Sequence, residues 1–241
     1  MKKIFTLLLL IISINMGSPL SEEEQETAKR GIETFNKILK KSIISQDKTK
    51  LNRIKKVGKE ITKHIDKEYE WEFVLVEDEA LNAFCFAGGK VLFFTGIFSL
   101  IENDDQLAAI MSHEMAHVLL KHGSMRSKAH KLLNIPQKVG KELFGDLLPN
   151  DLEEALEDAY EAGKNVGIMM PYAREQEKEA DREGIRLMIN AKYDPYEAIK
   201  LWENIKKLSK DAHKVPNYFS THPSHDQRIS TIQKTIEKSE R

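Results

Sequence analysis

The sequence predicts an α+β protein that is mainly helical, with a small β-sheet next to a helix that carries the motif HEMAH at residues 113–117. Three observations predict this class. Long charged stretches place apolar residues at helical spacing, one segment near residues 71–94 is rich in β-prone residues, and a Gly-Gly pair interrupts that segment as a turn would. We therefore expect one compact domain with an N-terminal helical extension.

The composition of the 241-residue chain is that of a globular protein, with 41% hydrophobic and 31% charged residues. Its formal net charge is -1. Nucleic-acid-binding domains usually carry a strong basic patch, so this balance argues against a nucleic-acid partner. Cys85 is the single cysteine, which excludes an intramolecular disulfide, and its apolar context AFCFA predicts a buried small side chain.

Residues 1–18 have the pattern of a secretory signal peptide. Lys2 and Lys3 precede an apolar stretch from Ile4 to about Ile14, which is shorter than the roughly 20 residues that span a bilayer as a helix. We expect cleavage and export across the inner membrane to the periplasm or cell envelope. No clean A-x-A pattern precedes Ser21, so an uncleaved tether that keeps the chain at a membrane is the alternative.

Residues 19–68 predict an N-terminal extension of two amphipathic helices. Apolar residues such as Ile32, Phe35 and Leu39 recur at helical spacing, and Ser21 followed by Glu24 fits a capping box at the first helix start.

The small sheet is predicted from Trp71 to about Phe94. Alternating apolar residues begin it, a β-prone run VLFF ends it, and Gly88 and Gly89 form the turn between its last two strands. We expect the strand within KVLFFTG to be an edge strand to which an extended peptide can add by main-chain hydrogen bonds.

The helix from Asp104 to about Lys121 carries HEMAH. His113 and His117 lie one turn apart on the same face, so both imidazoles can reach one tetrahedral metal ion. Glu114 lies about 100° around the helix, where its carboxylate can act as a general base beside the metal. A chance motif on a buried helix is the alternative, but burying three ionisable groups without a partner or metal would be costly.

A catalytic zinc usually has three protein ligands, so a third ligand is needed. The chain does not match the pattern HExxHxxGxxH, because Leu120 occupies the position of its Gly and Gly123 the position of its third His. His122 lies about 140° from the ligand face by helical geometry and is predicted to be a surface histidine near the end of the helix. In YAREQEKEADREG, Glu177 and Asp181 are spaced i and i+4, so one can bind the metal while the other hydrogen-bonds a ligand histidine; taken alone, this segment would be an ordinary charged surface helix.

The rest of the chain predicts further helices. Residues 124–170 form a charged helical insertion interrupted at Pro136 and Pro149, which we expect to flank a cleft. Helices follow from about Tyr172 to Asn190, in YDPYEAIKLWENIKKL and in RISTIQKTIEK.

The chain resembles the M48 zinc metallopeptidases, and especially their secreted bacterial relatives. The resemblance covers roughly residues 70–235 and rests on the order and spacing of five segments: LNAFCFAGGKVLFFTGIF, DDQLAAIMSHEMAHVLLKHG, REQEKEADREGIRLM, YDPYEAIKLWENI and STHPSHDQRI. It implies a zincin-like (gluzincin) peptidase domain over residues 69–241. Ala173 departs from the family, which usually has Ser there.

The resemblance implies that Glu177 is the third zinc ligand, rather than its neighbour Glu179, and that Asp181 supports a ligand histidine. It implies one Zn²⁺ per chain, held by His113, His117 and Glu177, with Glu114 as the base. His222 matches a family histidine that lies near the zinc in some members, and the alternative for it is a plain surface turn. Arg228 is a weaker candidate for oxyanion stabilisation.

The expected function is therefore that of a zinc-dependent endopeptidase in cell-envelope protein quality control, acting on unfolded or misfolded proteins or peptides. The alternative is a zinc-binding chaperone or adaptor protein that is proteolytically latent or inactive.

Overall fold

The computed structural model describes residues 18–125, 166–209 and 225–240. The predicted signal peptide, His222 and nearly all of the predicted insertion at 124–170 lie outside the described residues. No helix within the described ranges is long and apolar enough to cross a membrane.

Two amphipathic helices begin the described chain, as predicted. Helix α1 spans Glu22–Lys41, and its start has the predicted capping box: the Ser21 hydroxyl accepts from the backbone of Glu24, whose carboxylate accepts from the backbone of Ser21. Helix α2 spans Lys48–Thr62 after an Asp47 cap. The side chains of Ile54, Val57 and Ile61 on α2 are fully buried, so this helix is part of the main core.

The sheet has three strands: β1 (Glu72–Val76), β2 (Ala83–Phe86) and β3 (Lys90–Phe94). Their order is β1-β3-β2, with β1 parallel and β2 antiparallel to β3. The predicted Gly88-Gly89 turn joins β2 to β3, and both glycines have positive φ angles, 89° and 80°. The prediction that KVLFFTG is an edge strand was wrong, because β3 is paired on both sides.

The edges of the sheet are therefore β1 and β2. Residues 43–45 cover the outer edge of β1: Ser45 donates to the carbonyl of Leu75, and Glu77 donates to that of Ile43. Among the described residues, β2 is the strand with an uncovered edge, in the sense that no further strand pairs with it.

A 3-10 helix at Thr95–Ser99 leads from the sheet to helix α3, which spans Asp104–Leu119 and is capped by the side chain of Asn103. Helices α4 (Val166–Asn190), α5 (Tyr196–Ser209) and α6 (His225–Ser239) complete the described fold. Helix α4 begins six residues before the predicted start at Tyr172. Pro171 is the sixth residue of this helix.

The sheet separates two hydrophobic clusters. The larger lies between one face of the sheet and helices α2 to α6, and includes Leu107, Met111 and Met115 of α3. The smaller lies between the other face and α1, where Phe35 and Ile38 pack on Leu92 and Phe94. The predicted α+β class is confirmed: the molecule is mainly helical, and the helix carrying HEMAH packs against the small sheet.

Helix α1 approaches the end of β2 very closely. A Cβ atom added at Gly31 would lie 2.2 Å from the carbonyl oxygen of Ala87, which follows β2 directly. The side chain of Cys85 on β2 is half-buried and packs against the main core, so the prediction of a buried small side chain was partly correct.

Candidate metal centre

Helix α3 brings three ionisable groups into the protein interior. Every residue from Gln106 to His117 is buried. The side chains of His113, Glu114 and His117 are the ionisable exceptions in this apolar stretch, at 4%, 5% and 8% exposure. Polar groups buried in this way require partners, and α4 supplies several of them.

The ligand atoms predicted from the motif converge with a carboxylate from α4. The Nε2 atoms of His113 and His117 lie 3.1 Å apart. The two carboxylate oxygens of Glu177 lie 3.2 Å from Nε2 of His113 and 3.3 Å from Nε2 of His117. One ligand atom from each residue thus lies within 4.8 Å of the other two. Two imidazole nitrogens and a carboxylate oxygen are a donor set that suits zinc.

Asp181, one turn along α4 from Glu177, contacts the other ring nitrogen of His113. Its Oδ1 lies 3.1 Å from Nδ1 of His113, and Nε of Arg228 donates to both of its oxygens at 3.1 and 3.0 Å. Burial alone raises the pKa of Asp181, but the charge of Arg228 and the hydrogen bond with His113 outweigh burial, so the pKa is lowered. Burial and the charge of Arg228 lower the pKa of His113, yet its hydrogen bonds to Asp181 and Glu177 leave that pKa raised.

Arg228, from α6, is 1% exposed and lies over the ring of Trp202 with 3.8 Å between the guanidinium carbon and the ring centroid. Besides Asp181, its guanidinium approaches Glu177 at 3.3 Å and Nδ1 of His113 at 2.8 Å. Oxyanion stabilisation by Arg228 stays a prediction, and these contacts show that the residue also ties α6 to the histidine and carboxylate cluster.

Helix α3, which carries Glu114, contacts β2. Burial raises the pKa of the Cys85 thiol on β2 well above its ordinary value, and the negative charge of Glu114 raises it further.

A cleft of about 420 Å³ runs along the edge of β2. Phe84, Cys85 and Phe86 of β2 line it together with His117, and α1 forms the opposite wall with Thr27, Arg30 and Thr34. A larger groove of about 900 Å³ lies between α4 and α6, but its described lining includes none of the HEMAH residues. We therefore regard the smaller cleft as the one that serves the metal centre.

The prediction that His122 is a surface histidine was wrong. Its side chain is fully buried, with Nδ1 2.8 Å from Nδ1 of His117 and Nε2 3.2 Å from a carboxylate oxygen of Glu179. The prediction continued the helix to about Lys121 and applied helical geometry to His122, whereas α3 ends at Leu119 and Lys121 has a φ of 59°. This left-handed residue turns the chain back towards the metal centre.

Sequence reasoning also missed Gly184. A Cβ at this position would lie 3.1 Å from the backbone nitrogen of His113, so α4 crosses α3 at close contact beside the first histidine of the motif. A glycine inside a strongly helical pattern was the available signal.

The buried group of two imidazole nitrogens and a carboxylate oxygen is a donor set that metal-dependent hydrolases use. The sequence profile of Peptidase family M48 matches residues 48–236, and the chain belongs to this family. The match begins at the first residue of α2.

Curated relatives support the same assignment. The chain is 31% identical over 172 residues to the mitochondrial metalloendopeptidase OMA1 of Schizosaccharomyces pombe, covering 70% of this chain and 48% of the relative. It is 29% identical over 225 residues to OMA1 of Arabidopsis thaliana, covering 91% and 43%. It is 28% identical over 182 residues to the beta-barrel assembly-enhancing protease of Escherichia coli O157:H7, covering 73% and 37%. The chain thus spans less than half the length of these relatives.

Proposed function

We propose that the protein is a zinc-dependent endopeptidase in which His113, His117 and Glu177 hold one zinc ion and Glu114 is the general base. The observation that carries this proposal is the convergence of two imidazole nitrogens and a carboxylate in the buried interface of α3 and α4. The M48 membership supports the same reaction class.

The buried charges support a divalent cation. Three carboxylates, Glu114, Glu177 and Asp181, and one guanidinium, Arg228, are each at most 5% exposed. With neutral histidines their formal charges sum to -2, which a divalent ion would neutralise. Buried charges without compensation are strongly unfavourable, so this cluster favours metal binding.

When bound, zinc supplies Lewis acidity, which lowers the pKa of a coordinated water to about 7 and polarises a carbonyl oxygen. The carboxylate of Glu114 accepts a proton from the attacking water and delivers it to the nitrogen of the leaving amine. Such acid–base transfer contributes typically about 10²–10⁴ in rate. Asp181 accepts the Nδ1 proton of His113, which leaves the Nε2 lone pair of that ring for the metal.

The substrate is an extended polypeptide that pairs with the uncovered edge of β2. An edge strand offers unpaired main-chain groups at regular intervals, and peptides commonly bind by adding to such a strand. The cleft beside β2 reaches His117, so a peptide held there passes next to the metal centre. Unfolded or misfolded segments provide the extended conformation that this mode requires.

The cellular role that we propose is protein quality control in the cell envelope, with export directed by residues 1–18. The named activity of the beta-barrel assembly-enhancing proteases among the relatives supports a role in the envelope. The alternative to cleavage, an uncleaved tether, would add membrane association.

The test compares the wild-type protein with Glu114→Gln for zinc content and for cleavage of casein, an unfolded substrate. We expect both to hold about one zinc, and the variant to lose activity by about 10²–10⁴ or more. Glu175→Gln is the matched control, because Glu175 lies on α4 with a half-exposed side chain and should behave as the wild type.

The possible results separate the two functions considered. Zinc in both proteins without cleavage by either would support the alternative, a latent or inactive zinc-binding chaperone or adaptor. Absence of zinc from the purified wild type, even after zinc is supplied, would contradict the metal site.

A further inference from the structure

The two histidines of HEMAH have different hydrogen-bond partners at Nδ1, the ring nitrogen on the far side from the candidate metal centre. Nδ1 of His113 meets the carboxylate of Asp181 directly, at 3.1 Å. Nδ1 of His117 instead meets Nδ1 of His122 at 2.8 Å. The second ring nitrogen of His122 then meets a carboxylate, Oε2 of Glu179, at 3.2 Å.

His117, His122 and Glu179 form a hydrogen-bonded series. The metal-binding nitrogen of His117 at one end and the carboxylate of Glu179 at the other determine which ring nitrogens carry protons. If Nε2 of His117 binds a metal it must keep its lone pair, so the proton of this neutral ring is on Nδ1. His117 then donates to Nδ1 of His122, whose own proton lies on Nε2. The Glu179 carboxylate accepts that proton, so each contact in the series has one donor and one acceptor.

We propose that His122, backed by Glu179, is a positioning residue that holds His117 in the tautomer and ring orientation required for metal binding. This inference rests on the proposed function, because it takes His117 as a metal ligand. It assigns Glu179 a role distinct from that of Glu177: Glu177 enters the metal group, whereas Glu179 ends the hydrogen-bonded series on the other side of His117.

The backbone is arranged for this contact. Lys121 adopts a left-handed conformation that residues with a Cβ seldom adopt, and this turn brings His122 back onto His117. The ammonium of Lys121 lies 3.1 Å from a carboxylate oxygen of Glu24 on α1. The turn that carries His122 is therefore held to α1 by an ion pair.

The rival explanation is that His122 only fills space. The ring is fully buried, so its loss could loosen packing around His117 without any role for the hydrogen bond. Two substitutions separate these explanations. His122→Asn places an amide oxygen near the position of Nδ1 and keeps an acceptor, whereas His122→Leu fills a similar space without one.

The experiment measures zinc affinity by competition with a chelator, together with kcat and KM for a fluorogenic peptide. We expect His122→Leu to weaken zinc binding by about 10–100-fold, the range typical of supporting residues at metal sites, and His122→Asn to recover most of the affinity. At saturating zinc, kcat should fall in His122→Leu while KM changes little. If Leu matches the wild type, or if Asn binds zinc as weakly as Leu, the proposal is wrong.

Glu179 gives an independent test. Its side chain is 46% exposed, so we expect Glu179→Ala to weaken zinc binding by less than His122→Leu, and Glu179→Gln, which keeps an acceptor oxygen, to weaken it less again. Glu175→Ala, on the same helix, is the control. A change in zinc affinity equal for Glu179→Ala and Glu175→Ala would count against the series.

His117→Ala distinguishes failure of this inference from failure of the proposed function. If His117→Ala binds zinc as tightly as the wild type, the metal site itself is wrong. If His117→Ala loses zinc while both His122 variants keep wild-type affinity, the metal site stands and the positioning role is rejected.

Discussion

Asp181 and Glu24 are both buried carboxylates next to cations, yet their surroundings differ. Asp181 is paired with Arg228, and both side chains are at most 2% exposed. Glu24 is paired with Lys67 and Lys121, whose side chains are 31% and 49% exposed. At Glu24 the cations remain partly in water, so the pairs are weak and replaceable. At Asp181 neither partner can return to water, so removal of one leaves a buried charge.

The largest expected effect comes from Arg228→Leu. Loss of the guanidinium leaves Asp181 and Glu177 without their buried cation, and we expect a loss of about 3–5 kcal/mol in the free energy of unfolding of the zinc-free protein. Urea denaturation with the same chelator present throughout measures it. The double variant Arg228→Leu with Asp181→Asn should recover part of the loss, because one buried charge is removed as well. If Arg228→Leu has the same free energy of unfolding as the wild type, the buried pair at Asp181 contributes no more to stability than the partly exposed pairs at Glu24.

Zinc should stabilise the wild-type protein next most strongly. A ligand that binds only the folded state adds about 2.7 kcal/mol at a free concentration one hundred times its Kd. Thermal unfolding with and without chelator measures the shift. The same comparison in His113→Ala should show a much smaller shift, whereas Glu24→Gln should keep the full one, because Glu24 lies outside the metal group. A full shift in His113→Ala would place zinc elsewhere.

Gly184→Ala should cost about 1–3 kcal/mol, because the new methyl group presses on the backbone of His113 and forces α4 away from α3. Zinc affinity should fall too, since α4 carries Glu177. Gly123→Ala is the control: a Cβ there meets nothing within 4 Å. Both unfolding and chelator competition report the result, and an unchanged zinc affinity would show that the crossing tolerates the displacement.

The smallest effect is expected for Glu24→Gln, about 1 kcal/mol or less at pH 7. The backbone hydrogen bond from Ser21, and next the side chain of Lys121, lower the pKa of Glu24 from 4.5 to about 2. Water around the two partly exposed lysines screens these contacts, so the effect on stability is smaller than a pKa shift of this size would give in full. A pKa that is lower in the folded than in the unfolded state stabilises the folded protein at pH values above the unfolded-state pKa. This stabilisation is lost as the pH falls through the folded-state pKa. The stability difference between wild type and variant should therefore be full above about pH 4.5 and vanish towards pH 2. Urea denaturation across this range measures it, and a difference that persists to pH 2 would contradict the assignment.

Local spacing explains which features could be predicted from the sequence. HEMAH, the i and i+4 pair at Glu177 and Asp181, the capping box of α1 and the glycine turn each depend on a few neighbouring residues. The predicted ligand residues also lie together, although their roles remain proposals. Strand order cannot be predicted in this way. The pattern of KVLFFTG is the same for a central strand and an edge strand, and its position depends on which other strands pair with it.

His122 shows a second limit. Helical geometry predicts the direction of a side chain only while the backbone stays helical. Nothing in the sequence LLKHG indicates that Lys121, rather than Gly123, adopts the left-handed conformation. The support from Glu179 was equally hidden, because it depends on how α4 crosses α3. His222 and nearly all of the insertion at 124–170 lie outside the described residues, and their predicted roles stay predictions.

The contact at Gly31 sets a dimension of the molecule. The backbone of α1 at Gly31 contacts the carbonyl oxygen of Ala87 with no side chain between them. The lack of a Cβ atom at Gly31 therefore determines the distance between this helix and the end of β2. Gly31 and Ala87 both line the cleft beside β2, so their contact bounds the cleft at that end. A larger residue at position 31 would act as a spacer: it would widen the entrance while leaving the histidines, the carboxylates and their chemistry in place. The spacing between α1 and β2 can thus be changed separately from the candidate metal centre.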